Sequence, residues 1–553
     1  MTATTRPAYE LLAMDIRDLD TGCVFGLMSD DTARLVTTLD AVGVKFHSAR
    51  HENTSVAMAE GYAAASGRLG IAIIGRGPAA ANALHGSTYA QRTGSRVLLV
   101  FGEAPLAKPA GRPTGPDGKA FDTVGALQAA GIPVYRPTDG AHARQLLQDA
   151  VAATLREGTV ALLLPMDVQL QPLDEAASRP LARRAEPLPL PAPREHALES
   201  AARMLAACRK PLIVAGQGAL HAREALIALA DHLGAALATS LKARSLFRGH
   251  AFDCGVIGSF SHAAGRRIME QADLVLVVGA GMNQRTTSNG HALPSGVPVL
   301  QIDSDATAIG RWYPVDVGIV ADAARTAQAL RERIPARAVA DMPLRDGQLG
   351  RLLAGHDLAS EFKPAHTART VDPRVLALAL DRMLPANRNT VYDAGNFLQV
   401  VPFVQVEGPG QMKMTADFSS IGMGFGTALG FARGAPDRPT VLFLGDGSFL
   451  MTLGELETVV REDISLVIVL MNDCAYGAEL HFLRQVDMPV GMSVFPDVDF
   501  APVAEAFGFQ AATIRSMQDL EALAPLLARP EGPILLDCKI NAAIPAPFLA
   551  EKR

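Results

Sequence analysis

Short apolar runs that close on a glycine or an acid recur along this chain, and longer helical patterns separate them. "GIAIIG", "RVLLVFG" and "TVALLLPMD" come early, "PLIVAGQGA", "ADLVLVVGAGM" and "PVLQIDSD" in the middle, and "NTVYDAGN", "PTVLFLGDG", "SLVIVLMND" and "GPILLDCKI" late. Runs of this length without polar alternation read as strands of parallel sheets buried on both faces by helices. At 553 residues the chain exceeds what one core can serve. Two stretches rich in proline and charge, beginning at Gln169 and Asp341, read as linkers, the second with a possible short helix in "GQLGRLLAG". The expected architecture is α/β, three doubly wound parallel-sheet domains spanning 1–172, 190–340 and 368–553.

A net charge of −6 gives no electrostatic reason to expect nucleic acid or an anionic membrane as partner, so small molecules are expected instead. The five cysteines lack CxxC spacing, which argues against a disulfide framework or a zinc site. With no signal-like N-terminus and no apolar run of about 18 residues, a cytoplasmic location is expected.

Ligands of doubly wound sheets bind beyond the carboxyl ends of the strands. The stretch "VLFLGDGSFLMTLGELETVVREDISLVIVLMNDCAYG" is informative there. Leu450, Leu453, Leu456, Val459 and Val460 fall at helical spacing between two apolar runs, so the unit reads strand, helix, strand. A right-handed crossover makes the strands parallel and adjacent, about 4.8 Å apart. Asp446 and Asp473 then share one edge and can converge on a hard cation, Mg²⁺ or Ca²⁺. Gly445 and Gly447 let backbone N–H groups approach a phosphate at the following helix N-terminus. The alternative is that both acids are helix caps or solvated loop residues.

This stretch resembles the motif of the thiamine diphosphate-dependent enzymes, in which GDG is followed by an Asn pair and Tyr-Gly. The resemblance covers nearly the whole chain and is closest to the acetolactate synthase and benzoylformate decarboxylase group. It implies the domain order pyrimidine-binding, central, diphosphate-binding. It implies that Asp446 and Asp473 bind Mg²⁺ through side chains and Ala475 through its carbonyl, with Gly445, Gly447, Ser448 and Tyr476 at the cofactor. Asp473 departs from the pattern, which has Asn there, and its extra charge suits the cation but repels the diphosphate. Glu52 of "RHE" corresponds to the glutamate that hydrogen-bonds N1′ of the aminopyrimidine and promotes loss of the C2 proton. Read alone, Glu52 is a helix-start acid facing the macrodipole. "GRGPAAAN" is similar to the family's GPG-x-x-N turn and would place Asn82 near the ring, although Ala79 replaces the second glycine. Met423 of "SSIGMGFG" corresponds to the apolar wedge that bends the cofactor, and Gly395 and Asn396 of "DAGNF" fall where diphosphate is held.

Such enzymes lose CO₂ from a 2-oxo acid and give the enamine to a proton or to a carbonyl acceptor. No His-His pair occurs here, and the turn where decarboxylases often carry a histidine reads Gly75-Arg76. The resemblance therefore implies a carboligase joining the enamine to a carbonyl acceptor. A non-ligating decarboxylase, an acyl-CoA or hydroxyketone lyase, and a silent thiamine-fold partner protein are the alternatives. Arg76 could clasp a substrate carboxylate or serve as a structural partner. His481 follows the metal turn within residues 478–496, which are expected to cover the site and shape substrate choice. The central domain's "GAGMNQR" lies where relatives bind FAD or an ADP moiety, and Arg285 there matches the flavin-contacting segment poorly, so FAD stays open beside an empty domain. The group's interface-shared sites imply a homodimer or homotetramer.

Overall fold

The computed structural model describes residues 5–107, 117–175, 190–338 and 341–551. They form three six-stranded sheets, every strand pair in them parallel, and one small two-stranded sheet. Numbered within each domain, the strands of the first and third sheets run in the order 2-1-3-4-6-5. Those of the central sheet run 3-2-1-4-5-6. Central strands such as Leu274–Val278 and Leu466–Asn472 are buried at every residue, because helices cover both faces.

The long apolar runs all became strands. The edge strands Asp253–Val256, Val317–Val320, Met412–Met414 and Gln510–Ile514 were not foreseen, nor were Ala236–Thr239 inside the central sheet and Cys23–Gly26 inside the first. Each is three to five residues long, too short to show a period.

Residues 176–189 of the first expected linker lie outside the described residues. Its beginning, Pro172–Asp174, pairs antiparallel with Thr5–Pro7. The second expected linker is instead packed structure. Gly347–Ala354 is a helix, and Leu344, fully buried, joins Leu349 and Leu353 against the core of the central sheet.

The Thr440–Gly445 and Leu466–Asn472 strands are adjacent and parallel, with Gly445 opposite Met471. The crossover between them is not one continuous helix. Asp446–Thr452 and Glu455–Arg461 are separate helices, and Leu450 and Val460 point to solvent while Leu456 and Val459 are buried. Gly454 lies at the break, and a break resets the phase of the apolar face.

The first and third domains meet along the Glu52–Ser66 and Gly424–Gly434 helices. Thr54 through Ala63 are all buried, as expected for a helix with structure on every side. Glycines permit the close approach. A Cβ on Gly430 would stand 2.7 Å from the Met58 carbonyl carbon, and one on Gly426 would stand 2.7 Å from the Ala57 Cβ.

Candidate active site

Asp446 follows the last residue of one strand and Asp473 the last residue of its neighbour, which places both at one sheet edge. Burial lifts both carboxyl groups above the usual carboxylate range, and the charge of Asp473 lifts Asp446 further. Two such acids side by side favour protonation unless a cation lies between them. The donor set therefore fits a hard divalent ion, which offsets both burial and repulsion.

Neighbouring residues hold this pair in place. Asn396 Nδ2 lies 3.5 Å from Asp473 Oδ2 and 3.1 Å from the Ile544 carbonyl, and its Oδ1 accepts the Ala546 N–H at 2.8 Å. Asn396 thus ties the C-terminal segment to the second acid, and its amide is already engaged by the chain. Gly395 before it has φ 152°, a region that favours glycine. Asn472 Oδ1 accepts the Cys474 N–H at 3.2 Å, and Cys474 has φ 55°, so the turn reverses sharply after Asp473. Ala475 bridges antiparallel to Val494, Tyr476 N–H donates to the Ser493 carbonyl at 2.9 Å, and the Tyr476 and Phe495 rings meet edge-on at 4.6 Å. The chain after Gly477 therefore loops out and returns to brace the turn that bears the Ala475 carbonyl. A Cβ on Gly447 would stand 2.6 Å from the Tyr476 ring, so glycine is needed there for packing as well.

Asp393 joins the other parts, and sequence reasoning did not single it out. It is fully buried, and Thr415 Oγ1, the Ala394 N–H and the Gly422 N–H donate to its carboxylate at 2.9, 2.8 and 2.9 Å. Ser448 also donates to it, and Gly422 N–H reaches Ser448 Oγ at 3.0 Å. One carboxylate thereby links the helix that starts at Asp446 to the turn that presents Met423. The only sequence signal was its place at the end of "NTVYD".

In the first domain Glu52 opens its helix at 9% exposure, and Asn82 Nδ2 donates to its Oε2 at 3.0 Å. The next residue, Asn53, brings Nδ2 to 3.5 Å from the sulfur of Met423, which is fully buried. The chain thus unites Glu52 with Asn82 and brings the start of the Glu52 helix against Met423 through Asn53.

Arg76 is placed differently from the substrate role considered for it. Its guanidinium grips Asp117 with bonds of 2.7 and 3.1 Å, and its N–H donates to Asp31 at 2.6 Å. Asp117 already offers the guanidinium the bidentate acceptor that a substrate would have to supply. His481 is buried with Nε2 lacking a hydrogen-bond partner among the described residues, and burial lowers its pKa. In the central domain Gly216, Gly218 and Gly279 pack against backbone, a Cβ on Gly218 standing 3.0 Å from Gly279 Cα, while Gly281 faces open space. Arg285 lies 4.2 Å over the Phe548 ring.

Paired buried acids at the ends of neighbouring strands, with glycine turns at a helix N-terminus, are a donor set that suits a metal-bound phosphate ligand of an α/β enzyme. Comparison with known proteins specifies the class. Residues 7–123 match the thiamine pyrophosphate enzyme N-terminal TPP binding domain, 198–330 its central domain and 393–538 its C-terminal TPP binding domain. The chain is 30% identical to the probable 2-ketoarginine decarboxylase AruI of Pseudomonas aeruginosa, over 94% of this chain and 91% of that one. It is 27% identical to sulfoacetaldehyde acetyltransferase of Rhodobacter capsulatus, covering 99% and 96%. It is 25% identical to the large subunit of acetolactate synthase isozyme 1 of Escherichia coli, covering 89% and 86%. In fold it resembles a candidate thiamin diphosphate-dependent enzyme of Mycobacterium smegmatis, with TM-score 0.78, 21% identity, and coverage of 97% and 100%. The chain belongs to the thiamine pyrophosphate enzyme family and is a thiamine diphosphate-dependent decarboxylase or carboligase.

Proposed function

We propose that this enzyme decarboxylates a small 2-oxo acid with thiamine diphosphate and Mg²⁺ and ligates the remaining fragment to a carbonyl acceptor. The observation that carries this reading is the buried, mutually repelling pair Asp446 and Asp473 at adjacent strand ends. Thiamine diphosphate, when bound, supplies the carbon that adds to the carbonyl and the sink for the charge left by CO₂. Asp446, Asp473 and the Ala475 carbonyl would hold Mg²⁺, while Gly445, Gly447, Ser448 and Tyr476 would border the diphosphate. Gly395 shapes the turn beside them, and Asn396 positions Asp473. Met423 would support the bound cofactor from its buried turn. Glu52, held by Asn82, would offer its carboxyl group to the aminopyrimidine ring.

Ligation rather than protonation is supported by the lack of a His-His pair and by Arg76 at the turn where decarboxylases often carry a histidine. Simple decarboxylation is the second reading, favoured by the 30% identity to a 2-ketoarginine decarboxylase. FAD takes no part in this proposal, because Arg285 is engaged over the Phe548 ring and its segment matches the flavin-contacting one poorly.

Leu450, Met451, Phe482, Met488 and Met492 lie exposed on the segments that follow the two acids, Met492 at 92%. Apolar exposure of this kind supports a second copy of the chain covering the site, as a homodimer or homotetramer. Among the described residues no helix is long and apolar enough to cross a membrane, and all five cysteines are free. We place the enzyme in the cytoplasm, with no nucleic-acid or membrane partner.

The test is CO₂ release from a panel of 2-oxo acids that includes pyruvate and 2-ketoarginine, with added thiamine diphosphate and Mg²⁺. A ligated product formed with an added aldehyde, and lost in Glu52→Gln, supports the proposal. The free aldehyde as sole product would select the second reading. No release from any acid would overturn both.

A further inference from the structure

A cavity of about 380 Å³ opens where the central domain meets the third, and none of the residues assigned to cofactor or metal lines it. Arg244, Arg248, Asp253, His262, His356 and Gln405 supply its polar wall. Arg244 is 8% exposed and donates to the Val401 carbonyl and, at 3.1 Å, to the Pro402 carbonyl. Arg248 donates to the Val406 carbonyl at 3.1 Å. Among the described residues neither guanidinium forms an ion pair. For the buried Arg244, carbonyl oxygens satisfy the N–H groups but leave the positive charge uncompensated, which is costly for a buried ion, whereas Arg248 is exposed and free to turn toward an incoming anion.

His262, His356 and Glu361 gather at the same place, with candidate ligand atoms within 4.8 Å of one another. Their hydrogen bonds describe a clasp better than a cation site. Gly265 N–H donates to His262 Nδ1 at 3.1 Å, Ala263 N–H donates to Glu361 Oε1 at 2.7 Å, and His356 Nε2 lies 2.6 Å from the same oxygen. With Nδ1 accepting, the neutral His262 ring carries its proton on Nε2. A Cβ on Gly255, which lines the cavity, would stand 3.0 Å from that Nε2, so the donor lies at the wall. Asp253 is the one acid lining the cavity, and burial raises its pKa toward the neutral form.

We propose that this cavity binds a small organic anion, its carboxylate or phosphate held by Arg244, Arg248 and the His262 Nε2–H. Its size is within the range of small-molecule sites. The inference stands on the central domain and does not depend on which reaction the enzyme catalyses.

The experiment is calorimetric titration of the full-length protein, saturated with thiamine diphosphate and Mg²⁺ and held at constant ionic strength, with inorganic phosphate, malonate and adenosine monophosphate. At least one probe binds saturably, and Arg248→Gln weakens it about tenfold or more. Leu353→Trp, which fills the cavity and leaves both arginines in place, abolishes binding. Preference among the probes distinguishes phosphate from carboxylate recognition. No saturable binding by any probe, or binding unchanged in both variants, overturns the proposal.

Discussion

Replacing Gly430 by alanine tests whether close contact between two helices positions the active site. Gly430 lies inside the Gly424–Gly434 helix, where alanine is worth about 1 kcal/mol over glycine by helix propensity alone. The new Cβ would overlap the Met58 carbonyl and stand 2.8 Å from the Tyr62 backbone nitrogen. Both are backbone atoms of the facing helix and cannot rotate aside, so the helices must separate. Overpacking of this kind costs about 1–3 kcal/mol, and contact with rigid backbone puts it at the upper end. The net effect is a destabilisation of about 2 kcal/mol, read as a lower midpoint in urea unfolding followed by circular dichroism. Gly350→Ala is the control. It also lies in a helix, but its added Cβ meets only the Phe252 ring at 3.7 Å, so the propensity gain survives and the midpoint rises. Because Glu52 and Met423 stand at the N-terminal ends of the two helices, Gly430→Ala also weakens thiamine diphosphate binding. Equal stabilisation by the two alanines would refute the argument.

Glu52→Gln lowers turnover about 100-fold or more while leaving thiamine diphosphate affinity within about tenfold, measured by steady-state kinetics beside fluorescence titration. Asp446→Asn and Asp473→Asn each raise the Mg²⁺ concentration needed for cofactor binding by about tenfold or more. Each also raises the melting temperature of the cation-free protein, since the remaining acid loses a repelling neighbour. Arg76→Lys shifts KM for an acidic substrate little, because Asp117 rather than substrate occupies the guanidinium; a large rise in KM confined to acidic substrates would contradict that placement. Burial, helped by His356, pushes the pKa of His262 down to about 4. The unfolded chain then binds more protons than the folded one below the ordinary histidine value, so stability falls with pH by up to about 3 kcal/mol. His262→Asn keeps a capping side chain for Gly265 and flattens that loss in acid unfolding curves.

Much of the site was legible because its chemistry is local. Gly445-Asp446-Gly447 and Asp473 each sit at the end of an apolar run, and strand, helix, strand in sequence dictates adjacent parallel strands. Arg76 was ambiguous for the opposite reason: its partner Asp117 lies 41 residues away, and no local pattern reveals such a pairing. Asp393 reads as one acid among many until Thr415, Gly422 and Ser448, from three distant segments, donate to it. The residues from Asp341 read as a linker because their few leucines show no long period, yet Leu344, Leu349 and Leu353 find an apolar surface to cover.

By itself the sequence determined the three α/β domains, the strands that carry each glycine turn, and the two acids at one edge. These follow from hydrophobic periodicity and chain connectivity, which act over tens of residues. Only the tertiary structure decided which acid binds the chain together, that Arg76 is already paired, and that the start of the Glu52 helix meets Met423, through Asn53 and Met423, 370 residues apart. Contacts between domains depend on shape and on which glycines lack a Cβ, and such complementarity exists only once both surfaces are built.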